Sequence, residues 1–194
     1  MNTKITRAVL VLAALLASAC HHGAPAEGGA SRSTLKSMPK WYSKPPKDDK
    51  FLYAPATATS RDLQISLNKA EAEGRLQLGQ QLEVKFSALT RRFAEETGEG
   101  AGAQLLQEYE QTYKAVVSQV LVGTKPRESK FQIEDGVYRA WVLMELPVGA
   151  ASERLLKQIQ QQEQMYARFR ASQAFKELNA EVEKYEQWKA GQKP

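Results

Sequence analysis

The chain has 194 residues, 42% of them hydrophobic and 25% charged, with one cysteine, two histidines and a formal charge of +5. A single cysteine excludes an internal disulfide framework and every paired-cysteine metal or redox motif. The histidines are neighbours, His21 and His22, so a folded body further along works without imidazole, which sets aside serine–histidine, cysteine–histidine and histidine-ligated zinc chemistry.

Residues 1–19 read as a targeting segment. Lys4 and Arg7 form a basic start, and the apolar run at 8–16 is shorter than the ~20 residues of a spanning helix but suits a secretory signal. Leu16, Ala17, Ser18 and Ala19 then precede Cys20, which resembles the lipobox of bacterial lipoproteins. In that motif the cysteine becomes the new N-terminus and carries a diacylglycerol thioether and an N-acyl chain. Several acyl chains together hold a protein on a bilayer far more firmly than one. Cleavage removes Lys4 and Arg7 and no acidic residue, so the charge falls from +5 to +3. The positive charges are also interleaved with negative ones, so no nucleic-acid partner is expected.

Residues 20–38 are small, polar and free of apolar period, as a flexible tether would be, and about twenty such residues span roughly 25 Å. His21 and His22 on such a chain make a poor metal site, and no motif calls for a cofactor. His21, rather than Asp, follows Cys20. By resemblance to the sorting rule of enteric bacteria, in which Asp at that position retains a lipoprotein in the inner membrane, the outer membrane is expected.

A domain is expected over 39–147. Trp41, Tyr42, Pro45 and Pro46 make an aromatic and proline-rich lead-in that clamps its start. Residues 51–59 are rich in strand formers, and Pro55 among them implies an edge strand or a strand end. From Leu63 the residues Leu67, Ala70, Gly74, Leu78, Leu82, Phe86, Leu89 and Phe93 recur at steps of three or four and predict one long helix. Ser60 or Thr59 is its expected cap, with Asp62 favouring the positive end of its dipole. Gly74 and Gly79 each cost a helix about 1 kcal/mol relative to Ala, which implies close packing on two different faces. Residues 97–102 break the helix, and Leu105, Leu106, Tyr109, Tyr113, Val116 and Val117 mark a second one. Strands at 129–134 and 137–146 follow, joined by Asp135-Gly136, a strong hairpin signal. The expected fold class is α+β: a small antiparallel sheet of the first strand and the hairpin, packed by one long and one shorter helix. Arg91-Arg92 at a helix end suit its dipole, with contact to an anionic glycan or phosphate as the alternative, and the acidic pairs Glu95-Glu96 and Glu134-Asp135 on turns are expected to stay solvated.

Pro39 with Trp41, Pro45-Pro46, the strand ending in Ala56-Thr57-Ala58, the Ala/Leu-rich helix 70–82 and the closing strand 138–143 resemble the LPP20 family of bacterial lipoproteins, over about 39–147. That family includes flagellum-associated lipoproteins of the outer membrane. The resemblance implies a lipid-anchored α+β domain that acts by assembly or binding and not by chemistry.

Residues 148–194 form the expected C-terminal helical extension. Without Pro or Gly, 152–189 would reach nearly 60 Å as one helix at about 1.5 Å per residue. Its apolar residues form two sets, Leu155, Ile159, Tyr166 and Phe169 on one side and Phe175, Leu178, Val182 and Tyr185 roughly opposite. Either the helix bends near Ser172 or its halves face different neighbours. The plainer reading has the first half cover the domain; the sharper one makes Phe175, Leu178, Val182 and Tyr185 a partner surface, with Ile65, Leu76 and Val84 as its other side. The partners expected are thus the membrane, through the lipid, and a second copy or another envelope protein. The function expected is non-catalytic, structural or assembly work in the periplasm-facing envelope. The alternative is a binding module for peptidoglycan or a small envelope ligand, using the sheet face or the aromatic lead-in.

Overall fold

A computed structural model of the protein describes residues 36–97 and 102–192. Met38–Pro194 fold as one compact unit; Leu16–Ala19, Cys20 and the expected tether as far as residue 35 lie outside the described residues, while residues 36 and 37 at its end are helical.

The hairpin sets the sheet. Asp135 and Gly136 both take positive φ, 49° and 75°, the two-residue turn whose twist matches that of paired strands. It joins β2 (Pro126–Glu134) and β3 (Val137–Pro147) in antiparallel register with Glu134 opposite Val137. On the other side β3 pairs antiparallel with β1 (Phe51–Ser60), from Phe51 opposite Pro147 to Ser60 opposite Tyr138. The order is β1-β3-β2, so β1, with Pro55, is an edge strand as its sequence suggests. Ala140, Val142, Met144 and Leu146 point to one face of β3 and join the main core. Trp141 and Leu143 point to the other, yet are 2% and 0% exposed. There the lead-in supplies α1 (Lys40–Ser43), which packs against both β1 and β3, with Trp41 and Tyr42 half-buried.

The long helix α2 (Leu63–Thr97) lies on the first face. Its cap is Asp62, whose carboxylate accepts the Ile65 N–H at 2.8 Å; Ser60, expected in that role, instead accepts the N–H of Asp62 at 3.2 Å. Asp62 wins because its carbonyl already accepts the first helical bond, from Ser66 N–H at 3.0 Å. The buried residues Ser66, Ala70, Gly74, Leu78, Leu82 and Phe86 recur every four. On a helix of about 3.6 residues per turn each such step overshoots by about 40°, so the buried stripe winds roughly half way round. One continuous helix thus serves two neighbours. Its 35 residues extend about 52 Å, well past a ten-residue strand of about 33 Å. Near its start Gly74 lets it meet the sheet: a Cβ there would lie 2.5 Å from Cγ of Met144. Gly79, on another face, admits Leu121. Both glycines thus serve close packing against different neighbours.

Beyond the sheet the overhang is closed by helices. Phe86 meets Tyr113 of α3 (Ala103–Val122) with ring centroids 6.1 Å apart. Phe93 meets Tyr109 at 5.9 Å and Phe169 at 5.2 Å, edge on. The C-terminal segment is helical, in three pieces: α4 (Val148–Gln160), α5 (Glu163–Phe169) and α6 (Gln173–Gly191). The bend expected near Ser172 is a full break, with Ser172 Oγ accepting the Phe175 N–H at 3.1 Å as the cap of α6. A second break, at Gln161 and Gln162, carries no glycine or proline. Ala151, Leu155, Ile159, Met165, Phe169, Ala174, Leu178 and Val182 all belong to the main core. The segment after Pro147 is therefore built into the domain.

Candidate functional site

Polar and aromatic groups gather where α6 returns across the start of the sheet. Tyr185 lies over Gly149, where any Cβ would collide with its side chain, and stacks on Trp188 at 5.6 Å. Trp188 in turn meets Phe51 edge on at 5.4 Å. Glu153 of α4 accepts from Lys157 at 2.6 Å and from Lys189 of α6 at 2.9 Å, and these hydrogen bonds hold its carboxyl below the usual carboxylate range. Beside this shelf is a cleft of about 680 Å³ lined by Lys50, Lys85, Lys184, Tyr185 and Trp188 among others. Lys85 is already engaged, donating to Glu181 at 2.7 Å. The cleft offers a flat aromatic surface and ammonium donors, which can hold a polar ring or an anionic group, alongside the carboxylates of Asp49 and Glu181.

The residues expected to meet a partner are turned inward. Leu178 and Val182 are 1% and 6% exposed, packed within the chain's own core, and Phe175 meets Phe169 at 5.9 Å and Tyr166 at 6.3 Å. With Tyr185 held on Gly149, the stripe Phe175, Leu178, Val182 and Tyr185 is a seam inside one chain, not a partner surface. The cause is the break at Ser172, which lets α6 fold back on α2 and α4. Three ion pairs run along the seam: Lys85 with Glu181, Arg92 with Glu177, and Lys189 with Glu153. Arg92 and Glu96 stay exposed, and each also ties α2 to α6. The Glu96 carboxylate accepts the Gln173 N–H, 3.0 Å from each oxygen, at the start of α6. Glu134 pairs with Arg139 at 3.2 Å. The centre of the sheet is not a free binding face, since β3 is buried on both sides from Ala140 to Met144.

Two buried hydroxyls, on Tyr109 and Ser152, lack a hydrogen-bond partner among the described residues. That of Tyr109 sits among Phe93, Tyr113 and Phe169, where burial pushes its pKa up and keeps it neutral. Among the described residues no three His, Cys, Asp or Glu side chains are grouped to hold a metal ion, and no helix is long and apolar enough to cross a membrane. What stays exposed and apolar is Ile65, Leu76 and Val84 on α2, Val122 on α3, and Phe131 and Ile133 on β2. The first three do not meet the α6 stripe, and the β2 pair went unremarked in the sequence because strand alternation alone does not tell an edge from a centre.

No family model matches the chain, and no curated protein matches it.

Proposed function

We propose that the chain is a lipid-anchored outer-membrane lipoprotein, facing the periplasm, whose body does structural or assembly work in the cell envelope rather than catalysis. The observation that carries this reading is that its only cysteine, Cys20, directly follows Leu16, Ala17, Ser18 and Ala19 behind a short apolar run. The resemblance to the LPP20 family, with its flagellum-associated members, supports it. So does the use of Arg92, Glu96, Glu153 and Lys189 as ties between helices. Replacing Cys20 by Ser and following fatty-acid labelling and membrane fractionation tests it. The wild type is expected to be labelled and membrane-bound and the variant neither; if the two partition alike, the lipoprotein reading fails.

A second reading, a binding module for peptidoglycan or a small envelope ligand, draws on the cleft with its Tyr185 and Trp188 shelf. Co-sedimentation of the full chain with purified cell wall, compared with a Trp188→Ala variant, tests it.

A further inference from the structure

We propose that the cleft beside Tyr185 and Trp188 binds a hexose ring that carries one carboxylate, an acidic sugar of the kind found in cell-wall and capsular glycans. This names a ligand for the second reading above and rests on that reading for the glycan's place in the envelope, whereas the recognition itself depends on the cleft alone.

Of the charged groups that line the cleft, Lys85 and Glu181 satisfy each other at 2.7 Å. The side chains of Lys50, Lys184 and Asp49 are exposed and have no partner among the described residues, and the same holds for the amide of Gln187. Two ammoniums against one carboxylate leave a single positive charge for a ligand to match, while Asp49 and Gln187 stay open to hydroxyl groups. One wall of the cleft is a ring held in place. Trp188 is half-buried and fixed on two sides, stacked on Tyr185 at 5.6 Å and edge on to Phe51 at 5.4 Å. Lys189 Nζ lies 4.6 Å over the Tyr185 ring and steadies the pair from α6 itself. A ring so fixed loses little freedom when a ligand arrives. A rigid aromatic wall with a few polar groups round it, in a cleft of about 680 Å³, is the ordinary anatomy of a small-ligand site.

The ligand follows from what each class would leave unused. A neutral sugar uses the aromatic wall and Asp49 but leaves both free ammoniums idle. An inorganic anion uses the ammoniums and leaves the indole bare. A doubly charged phosphate exceeds the single charge to be matched and meets Asp49 and Glu181 as well. A sugar ring with one carboxylate uses all of these groups, its C–H face on the indole, its hydroxyls on Asp49 and Gln187 and its carboxylate between Lys50 and Lys184. The space also continues along the seam of α2 and α6. A neighbouring cleft of about 390 Å³ shares Lys85, Glu181 and Lys184 with the first and reaches Arg92 and Glu177. Further sugar units can follow the first past these two ion pairs, so a short acidic glycan is expected to bind more tightly than one sugar.

The test titrates the full chain, purified in detergent, by ligand-observed NMR with two pairs of sugars and with inorganic phosphate. N-acetylmuramic acid against N-acetylglucosamine represents the cell wall, and glucuronic acid against glucose represents capsular glycans. The acid of at least one pair is expected to bind about tenfold more tightly than its neutral partner, and the tighter acid identifies the source. Lys50→Gln and Lys184→Gln, both at exposed positions, are each expected to weaken the acid about threefold and to leave the neutral sugar and the circular dichroism unchanged, while Lys184→Arg keeps the affinity. Equal affinity for acid and neutral sugar overturns the proposal. So do phosphate binding as tight as the acid's, acid binding that survives both lysine changes together, and the absence of binding by any of the sugars. If the acid binds through the two lysines while purified cell wall does not co-sediment with the chain, the cell-wall reading fails and the site stands. If the wall co-sediments equally with wild type and with the double lysine variant, the wall reading stands and the site fails.

Discussion

The helix α2 and the C-terminal segment 148–191 both read as long helices without internal proline, yet one is a single rod and the other is three pieces. The difference lies in the spacing of their buried residues. In α2 these recur every three or four positions from Ser66 to Phe93, so the buried face turns gradually and the helix stays whole. In the C-terminal segment the step from Ile159 to Met165 is six, and between the apolar residues Phe169 and Ala174, five apart, the one buried residue is the capping Ser172. On a continuous helix those steps would throw the next apolar residue well off the buried stripe. The chain leaves the helix at both places and restarts it with the apolar side inward. Helix breaks can thus be set by the phase of burial, without glycine or proline.

If the C-terminal pieces belong to the core that α2 overhangs, ending the chain after Arg170 should remove far more than an appendage. It strips Ala174, Leu178 and Val182 from the core and Trp188 from Phe51. The expected loss is of the order of 5 kcal/mol or more, from apolar burial alone, and urea unfolding followed by circular dichroism would read it. A truncated chain that melts with the full-length one would break the comparison. Next in size, Phe93→Ala empties the junction between α2, α3 and α5, where Phe93 is fully buried; about 3–5 kcal/mol is expected, by the same measurement. Ser172→Ala sharpens the comparison at the break itself. It removes the cap of α6 but not the burial phase, so about 1 kcal/mol should go with the breaks intact by amide hydrogen exchange. Fusion of α5 and α6 into one protected helix would show that the serine, not the phase, sets the break.

The smallest effect concerns pH. The Glu153 carboxyl is held low first by the hydrogen bond from Lys157, then by that from Lys189. A lowered folded-state pKa stabilises the fold above the ordinary carboxylate range and loses that contribution as pH falls through it. Because Lys189 is 41% exposed the contribution should be under about 1 kcal/mol. Glu153→Gln should therefore lower the urea midpoint slightly at pH 7 and not at pH 3. An equal loss at both would assign the effect to packing.

The local signals carried much of the fold. Asp135-Gly136 announced its turn, Pro55 its edge, and the two glycines of α2 their close contacts, because each depends on backbone or on near neighbours. What could not be read depends on distant sequence. Glu96 is exposed, as a solvated carboxylate would be, but its second role, accepting the Gln173 amide, comes from 77 positions away. Leu178 and Val182 look like a docking stripe until the chain folds back at Ser172. Cys20 carries its meaning wholly in the residues beside it, and lies outside the described residues.

The contact between Phe51 and Trp188 also closes the body on itself. The first strand of the body packs against its last helix, and beside that contact Val148 N–H donates to Lys50 C=O, 2.9 Å away. A protease that clips α6 therefore uncovers the first strand as well, so damage at one end of the body is felt at the other.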